Sequence, residues 1–134
     1  MAKRLGLGAK RLPPGPSGLA LIEEALASGV RLFDTADVYA PDAASIGDNE
    51  RLVARALAPF RGDRDEIVVA TKGGLRRQGR KWVPDGRAKH LKAACEASLR
   101  ALVERCPTLE LTSEPQRIPA FVIWGLEVLE LTTG

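Results

Sequence analysis

Histidine and cysteine are almost missing from this chain of 134 residues: His90 is its one imidazole, and Cys95 and Cys106 are its two thiols. Neither a CxxC pair nor a Cys/His quartet can be assembled from them, so a zinc site has too few ligands and no metal is expected. Reduced thiols in a cytoplasmic protein are the expected state. No run approaches the ~18 apolar residues of a membrane span. The opening "MAKRLGLGAKRLPPG" lacks the uninterrupted apolar core of a signal peptide. Together these lead us to expect a soluble, cytoplasmic protein with no membrane partner. Aromatic residues make up only 4% of the chain, and the net charge is a mild +3. The basic residues gather in "KGGLRRQGRK" (72–81), where only the adjoining Trp82 could stack on a base. Nucleic acid is therefore not an expected partner. The run reads as a solvated loop in preference to an anion site.

What the chain does have is alternation. Hydrophobic residues at 45% are enough for a core, and the length suits one domain or part of a larger one. "LALIEEALASGV" (19–30) puts Leu19, Ile22, Ala25 and Leu26 on one helical face, with Ser17 as N-cap and Gly29 at the C-terminal stop. "VRLFDT" (30–35) reads as a strand, and "NERLVARALAPF" (49–60) as a helix ended by Pro59. "EIVVATK" (66–72) is a second strand, apolar on both faces as a parallel strand covered by helices would be. A polar loop is expected from Gly73 to about Arg87, and then a helix over 88–105 with Leu91, Ala94, Cys95, Leu99 and Leu102 along one side. "RLGLGA" (4–9) offers an earlier strand. Helix and strand alternating at this period predict an α/β fold with repeated βα units and a parallel sheet, open or closed into a barrel.

Parallel α/β folds keep their chemistry where the strands end. One predicted strand ends near Asp34, within "FDTADVYA", and the next ends at Lys72. Neighbouring strands would let Asp34 and Lys72 form an ion pair, with Tyr39 folding back over them. A free tyrosine titrates near ~10 and is a poor acid at neutral pH, whereas a nearby ammonium favours the phenolate. The trio thus suits proton donation to a carbonyl oxygen as hydride reaches its carbon. The plainer alternative is a structural Asp–Lys pair with a tyrosine closing a loop.

Four segments then carry a resemblance. "FDTADVYA" resembles the FDTADxYG segment of the aldo/keto reductase family, "GDNERLVARAL" its GxNExLxGxAL helix, and "IVVATKGG" its VxxATKxG strand. "WVPDGRAKHLKAACEASLRAL" is similar to the entry into that family's third helix. The resemblance spans roughly residues 4–103, in family order and spacing. It implies a (β/α)8 TIM barrel that reduces small aldehydes or ketones with NADPH, NADH being possible. It also implies that Asp34, Tyr39 and Lys72 match three of four catalytic tetrad positions, with Tyr39 as proton donor. Gly8, Ala9, Lys10 and Asp34 would lie near the nicotinamide. "GLGAKR" is no dinucleotide fingerprint, and the family does not depend on one. Trp82 would line a substrate pocket or, as the preferred reading, anchor an exposed loop.

Past Leu102 the resemblance fails. The family continues into a strand of the type "DLYQLH", whose histidine completes the tetrad; residues 103–134 contain none. His90 is expected to be a partly exposed helix residue and no substitute. Residues 107–134 hold one basic and four acidic residues, a net −3, whereas residues 1–106 hold 19 basic and 13 acidic, a net +6. This reversal marks 1–106 as the N-terminal part of a reductase barrel and 107–134 as a divergent tail, as a shifted reading frame would produce. About three βα units are legible, and a full barrel needs at least ~200 residues. The expectation is a partial barrel, inactive by itself. The alternative is a non-catalytic half-barrel or binding module that pairs with another chain.

Overall fold

The computed structural model describes residues 5–63, 66–79 and 81–103 with their side chains, and beyond them the backbone of four short strands. The chain opens with β1 (Gly6–Gly8) and a single 3-10 turn, then α1 (Pro16–Ala27), β2 (Leu32–Asp34), α2 (Asp48–Leu57) and β3 (Val68–Ala70). The three strands form one parallel sheet in the order β1-β2-β3. Its register aligns Gly6, Leu32 and Val68 at one end and Gly8, Asp34 and Ala70 at the other. This is the expected α/β arrangement of parallel strands linked by helices.

Proline at the first position of α1 presets the helical φ and forfeits only an N–H that has no helical acceptor. The cap belongs to Gly15, which makes no side-chain bond, and not to Ser17, which lies inside the first turn. At the other end the expected stop is present. Gly29 takes φ +89, the Val30 N–H donates to the Ala25 carbonyl at 2.9 Å, and the Gly29 N–H donates to the Leu26 carbonyl at 3.0 Å. That is a Schellman closure, which glycine allows without Cβ strain. Gly18, Ile22 and Leu26 form the buried stripe of α1. They meet Phe33, Val30, Leu52, Val53, Ala56 and Ala9 in the core.

Gly18 is required for a second reason. A Cβ there would stand 2.0 Å from the Pro13 carbonyl oxygen and 2.8 Å from Leu52 Cδ2. Alanine normally favours a helix interior by ~1 kcal/mol over glycine. Here the overlap outweighs that gain, and Gly18→Ala should destabilise by about 1–3 kcal/mol. Urea denaturation of the variant checks this, and a rise in midpoint would mean the helix can shift away from Pro13 freely.

Three further expectations change. The loop expected over 73–87 is an antiparallel hairpin, β4 (Leu75–Gln78) with β5 (Lys81–Pro84). Gly79, at φ +58, supplies the left-handed turn residue that a tight hairpin demands. The ends of the hairpin are tied off. The Asp85 N–H donates to the Gly74 carbonyl at 2.8 Å, and Arg87 donates to both Asp85 oxygens at 2.8 and 2.6 Å. Those guanidinium bonds hold the Asp85 carboxyl well below the usual carboxylate range.

The second change concerns α3 (Ala88–Val103), whose buried residues are Ser98 and Ala101. Leu91 and Leu99 are exposed, as is the free thiol of Cys95, while Ala94 and Leu102 are half-buried. The apolar spacing was real, but α3 packs on α2, and contact with that neighbour turns a smaller face inward. β3 likewise departs from burial on both faces: Val69 packs with Phe33 against the core, whereas Val68, on the opposite face of the sheet, is 43% exposed. Further along, β6 (Leu109–Leu111) pairs antiparallel with β9 (Leu131–Thr133), and β7 (Gln116–Ile118) with β8 (Gly125–Val128). The divergent tail expected over residues 107–134 otherwise lies outside the described residues.

Candidate active site

The carboxyl ends of β2 and β3 bring the predicted trio together. Both strands stop after one row of pairing beyond Phe33 and Val69, and the chain then turns. The pairing is prolonged by single bonds, Thr35 N–H to the Ala70 carbonyl at 2.8 Å and Asp37 N–H to the Lys72 carbonyl at 3.4 Å. Lys72 therefore lies beside the end of β2. Its Nζ donates to Asp34 Oδ1 at 2.7 Å and to the Thr35 carbonyl at 2.9 Å. The same ammonium sits 4.7 Å from the centroid of the Tyr39 ring. Partial burial opposes the Lys72 charge, but the hydrogen bond to Asp34, the Tyr39 phenol and the negative charge beside it prevail, leaving the lysine above its ordinary value. A permanently charged ammonium against a phenol is an electrostatic arrangement for handling a proton. Both partners of the ion pair are half exposed, so it adds only about 0–1 kcal/mol to stability. Holding the fold is a poor explanation for it.

The remaining predicted residues border this trio. Gly8 stands in register with Asp34, is exposed, and has nothing within 4 Å of where a Cβ would project. Ala9 is buried and offers its carbonyl to Asn49 Nδ2 at 2.9 Å. Lys10 extends over the ring of Trp82 at 4.7 Å. Trp82 is partly exposed, yet it stacks on Tyr39 with centroids 6.3 Å apart and planes 28° from parallel. The hairpin thus carries an aromatic face onto the trio. Arg77, the cross-strand partner of Trp82 on β4, lies 5.4 Å from its ring centroid and donates to the Ala40 carbonyl. Reading 73–87 as a loop missed this wall; the alternation of Leu75, Arg77 and Trp82, Val83 around a glycine turn was the signal available.

Asp37 turns away from the trio. Burial raises its pKa, against the Val38 N–H and the His90 charge that favour the carboxylate. It lines a cavity of about 240 Å³ with Glu50, Arg51, Leu75, His90 and Ala94, among others. His90, in the opening turn of α3, has Nε2 at 3.2 Å from the Leu75 carbonyl. A carbonyl only accepts, so that nitrogen carries the proton in this contact. His90 is thus the partly buried helix residue expected, fastened to the hairpin.

Glu50 is only 1% exposed. Burial raises its pKa, with Asp37 pushing the same way, while the Thr71 and Ser98 hydroxyls and Arg51 oppose the shift. A carboxyl raised on folding contributes stability that is fully present below its unfolded value and is lost as pH rises through the folded one. With an ordinary value of 4.5 for Glu50, the loss begins there and extends upward. Glu50→Gln should therefore flatten the decline in Tm as pH is raised toward neutrality, Asp37 leaving a residual slope. An equally steep decline in the variant would show that Glu50 costs nothing to ionise in the folded chain.

The family model for the aldo/keto reductase family matches residues 4–108. Among solved structures, the aldo-keto reductase AKR11C1 of Bacillus halodurans, in its holo form, is 33% identical with a TM-score of 0.60. The match covers 74% of this chain and 32% of that one. An aldo-keto reductase-type protein from Pseudomonas aeruginosa, PA4992, is 28% identical at a TM-score of 0.56, over 72% of this chain and 36% of its own. The chain thus spans about a third of the length of the structures it matches. Those structures are (β/α)8 barrels, and the parallel sheet β1-β2-β3 with its helices corresponds to part of one. The match of sequence and fold over these residues establishes that the chain belongs to the aldo/keto reductase family.

Proposed function

We propose that this chain carries the proton-donor side of an NAD(P)H-dependent reduction of small aldehydes or ketones. The observation that carries the reading is the convergence of Asp34, Lys72 and Tyr39 where two adjacent parallel strands end. Tyr39 gives its proton to the carbonyl oxygen, Lys72 stabilises the negative charge left on the phenol, and Asp34 holds Lys72 in place. Trp82 supplies an apolar wall beside Tyr39 against which a small carbonyl compound can lie.

The nicotinamide, when bound, supplies the hydride. The residues at hand fit its ring end. Gly8 leaves open space beside Asp34, and the Lys10 ammonium lies at the same rim, suited to a phosphate-bearing cofactor. Preference for NADPH over NADH, a cytoplasmic location and the lack of a nucleic-acid partner belong to the same proposal. Among the described residues no helix is long and apolar enough to cross a membrane. We also propose that residues 1–106 form the reductase part and 107–134 a divergent tail.

Titrating the purified chain into NADPH, and separately into NADH, tests the reading through the emission of the reduced nicotinamide. A saturable change, weakened by Lys10→Glu, is expected. No change up to millimolar protein would sink the cofactor assignment. A second reading, a non-catalytic half-barrel that pairs with another chain, draws on the exposed apolar residues Val68 of β3 and Leu91 and Leu99 of α3. A monomeric mass by light scattering, together with NADPH binding, would count against it.

A further inference from the structure

The three strands of the parallel sheet stop in one row, Gly8, Asp34 and Ala70. The next residue of each strand is therefore Ala9, Thr35 or Thr71. All three are bonded by the same turn of one helix. Asn49 Nδ2 donates to the Ala9 carbonyl at 2.9 Å, and the Thr35 hydroxyl donates to Asn49 Oδ1 at 2.7 Å. The Thr71 hydroxyl donates to Glu50 Oε1 at 2.5 Å. Asn49 and Glu50 are both buried in the first turn of α2. Consecutive helical side chains diverge by about 100°, which is why one reaches β1 and β2 while the other reaches β3.

We infer that Asn49 and Glu50 are positioning residues, a clamp that holds the three strand ends in the relative placement the Asp34–Lys72–Tyr39 trio needs. Each bond sits next to a member of the site. Ala9 precedes Lys10, Thr35 follows Asp34 and gives its own carbonyl to Lys72 Nζ, and Thr71 precedes Lys72. Apolar side chains would bury as well at these positions and would leave no unpaired polar atoms. They could not fix one strand end against another, because apolar contact is nondirectional and a hydrogen bond is not. What the geometry is for rests on the function proposed above. The clamp itself rests on the bonds.

The test removes one hydroxyl at a time without changing shape. Thr35→Val and Thr71→Val are made in the full chain, each with its serine counterpart. Reductive methylation with formaldehyde and cyanoborohydride is followed by peptide mass spectrometry, comparing the rate at Lys72 with Lys89 and Lys92 on α3. An amine is methylated only when uncharged, so loosening of Lys72 from Asp34 raises its relative rate. We expect the Lys72 ratio to rise about threefold or more in each valine variant, and the serine variants to restore the parent value. Parent-like ratios in both valine variants would overturn the inference. So would loss of the native circular dichroism spectrum in Thr71→Val, since the bond would then support the fold and not the site. No cofactor enters this measurement. A chain that binds no NADPH yet shows the shift loses the proposed function and keeps the clamp, and the reverse result does the opposite.

Discussion

A polypeptide of these 134 residues should show little or no NADPH-dependent reduction of a reactive aromatic aldehyde, and Tyr39→Phe should remove what rate remains. The groups proposed for the acid chemistry stand together, Lys72 Nζ 4.7 Å from the Tyr39 ring centroid and 2.7 Å from Asp34 Oδ1. Hydride transfer asks for more. The nicotinamide must be held within near-attack range of the carbonyl, and such positioning supplies about 7–11 kcal/mol of barrier reduction. The stretch of this chain that matches covers only 32% and 36% of the two reductase structures, and in the function proposed above the nicotinamide end meets just Gly8, Ala9, Lys10 and Asp34. His90, the one imidazole, is occupied with the Leu75 carbonyl on the hairpin. Losing even half of the positioning contribution slows the reaction by roughly three to four orders of magnitude, at ~1.4 kcal/mol per tenfold. The assay is loss of NADPH absorbance in the parent and in Tyr39→Phe. Robust turnover abolished by that substitution would show that these residues alone make a working enzyme.

Phe33→Ala should remove a large share of the chain's stability. Phe33 is completely buried in the central strand of the sheet, within the core of Ile22, Leu26, Val30, Leu52, Val53 and Ala56. Deleting a buried phenylalanine costs about 3–5 kcal/mol, through lost transfer energy and the cavity left behind. A small domain has about 5–15 kcal/mol in all, so this is a large share of it. Asp34 is the next residue, which means the site would fail with the core. Guanidinium denaturation followed by circular dichroism measures the loss, with Lys72→Met as the contrast. That substitution breaks only a half-exposed ion pair, and should change stability by less than about 1 kcal/mol. A Phe33→Ala loss no larger than the Lys72→Met loss would mean the β2 strand is not the centre of the fold.

The elements themselves could be read from local pattern. Apolar spacing located α1 and α2, short apolar runs located β2 and β3 within a few residues, and Gly29 and Pro59 marked helix ends, because periodicity and backbone preference belong to short stretches of chain. The trio was legible for a related reason: parallel strands direct the residues after their carboxyl ends to one edge, so Asp34 and Lys72 had to be near neighbours once their strands were adjacent. What local pattern could not supply were choices among partners. Whether Leu91 and Leu99 or Ser98 and Ala101 faced inward depended on where α2 lay. Whether a basic stretch was a loop or a hairpin depended on two strands finding each other across Gly79, which then set Trp82 on Tyr39. Asn49 and Glu50 look like ordinary polar residues in the first turn of a helix. They became a bridge between strand ends only when the fold brought Ala9, Thr35 and Thr71 within hydrogen-bond reach, residues up to forty positions away along the chain. Directional bonds between distant segments leave no periodic trace in a sequence, and tertiary packing alone decides which of them form.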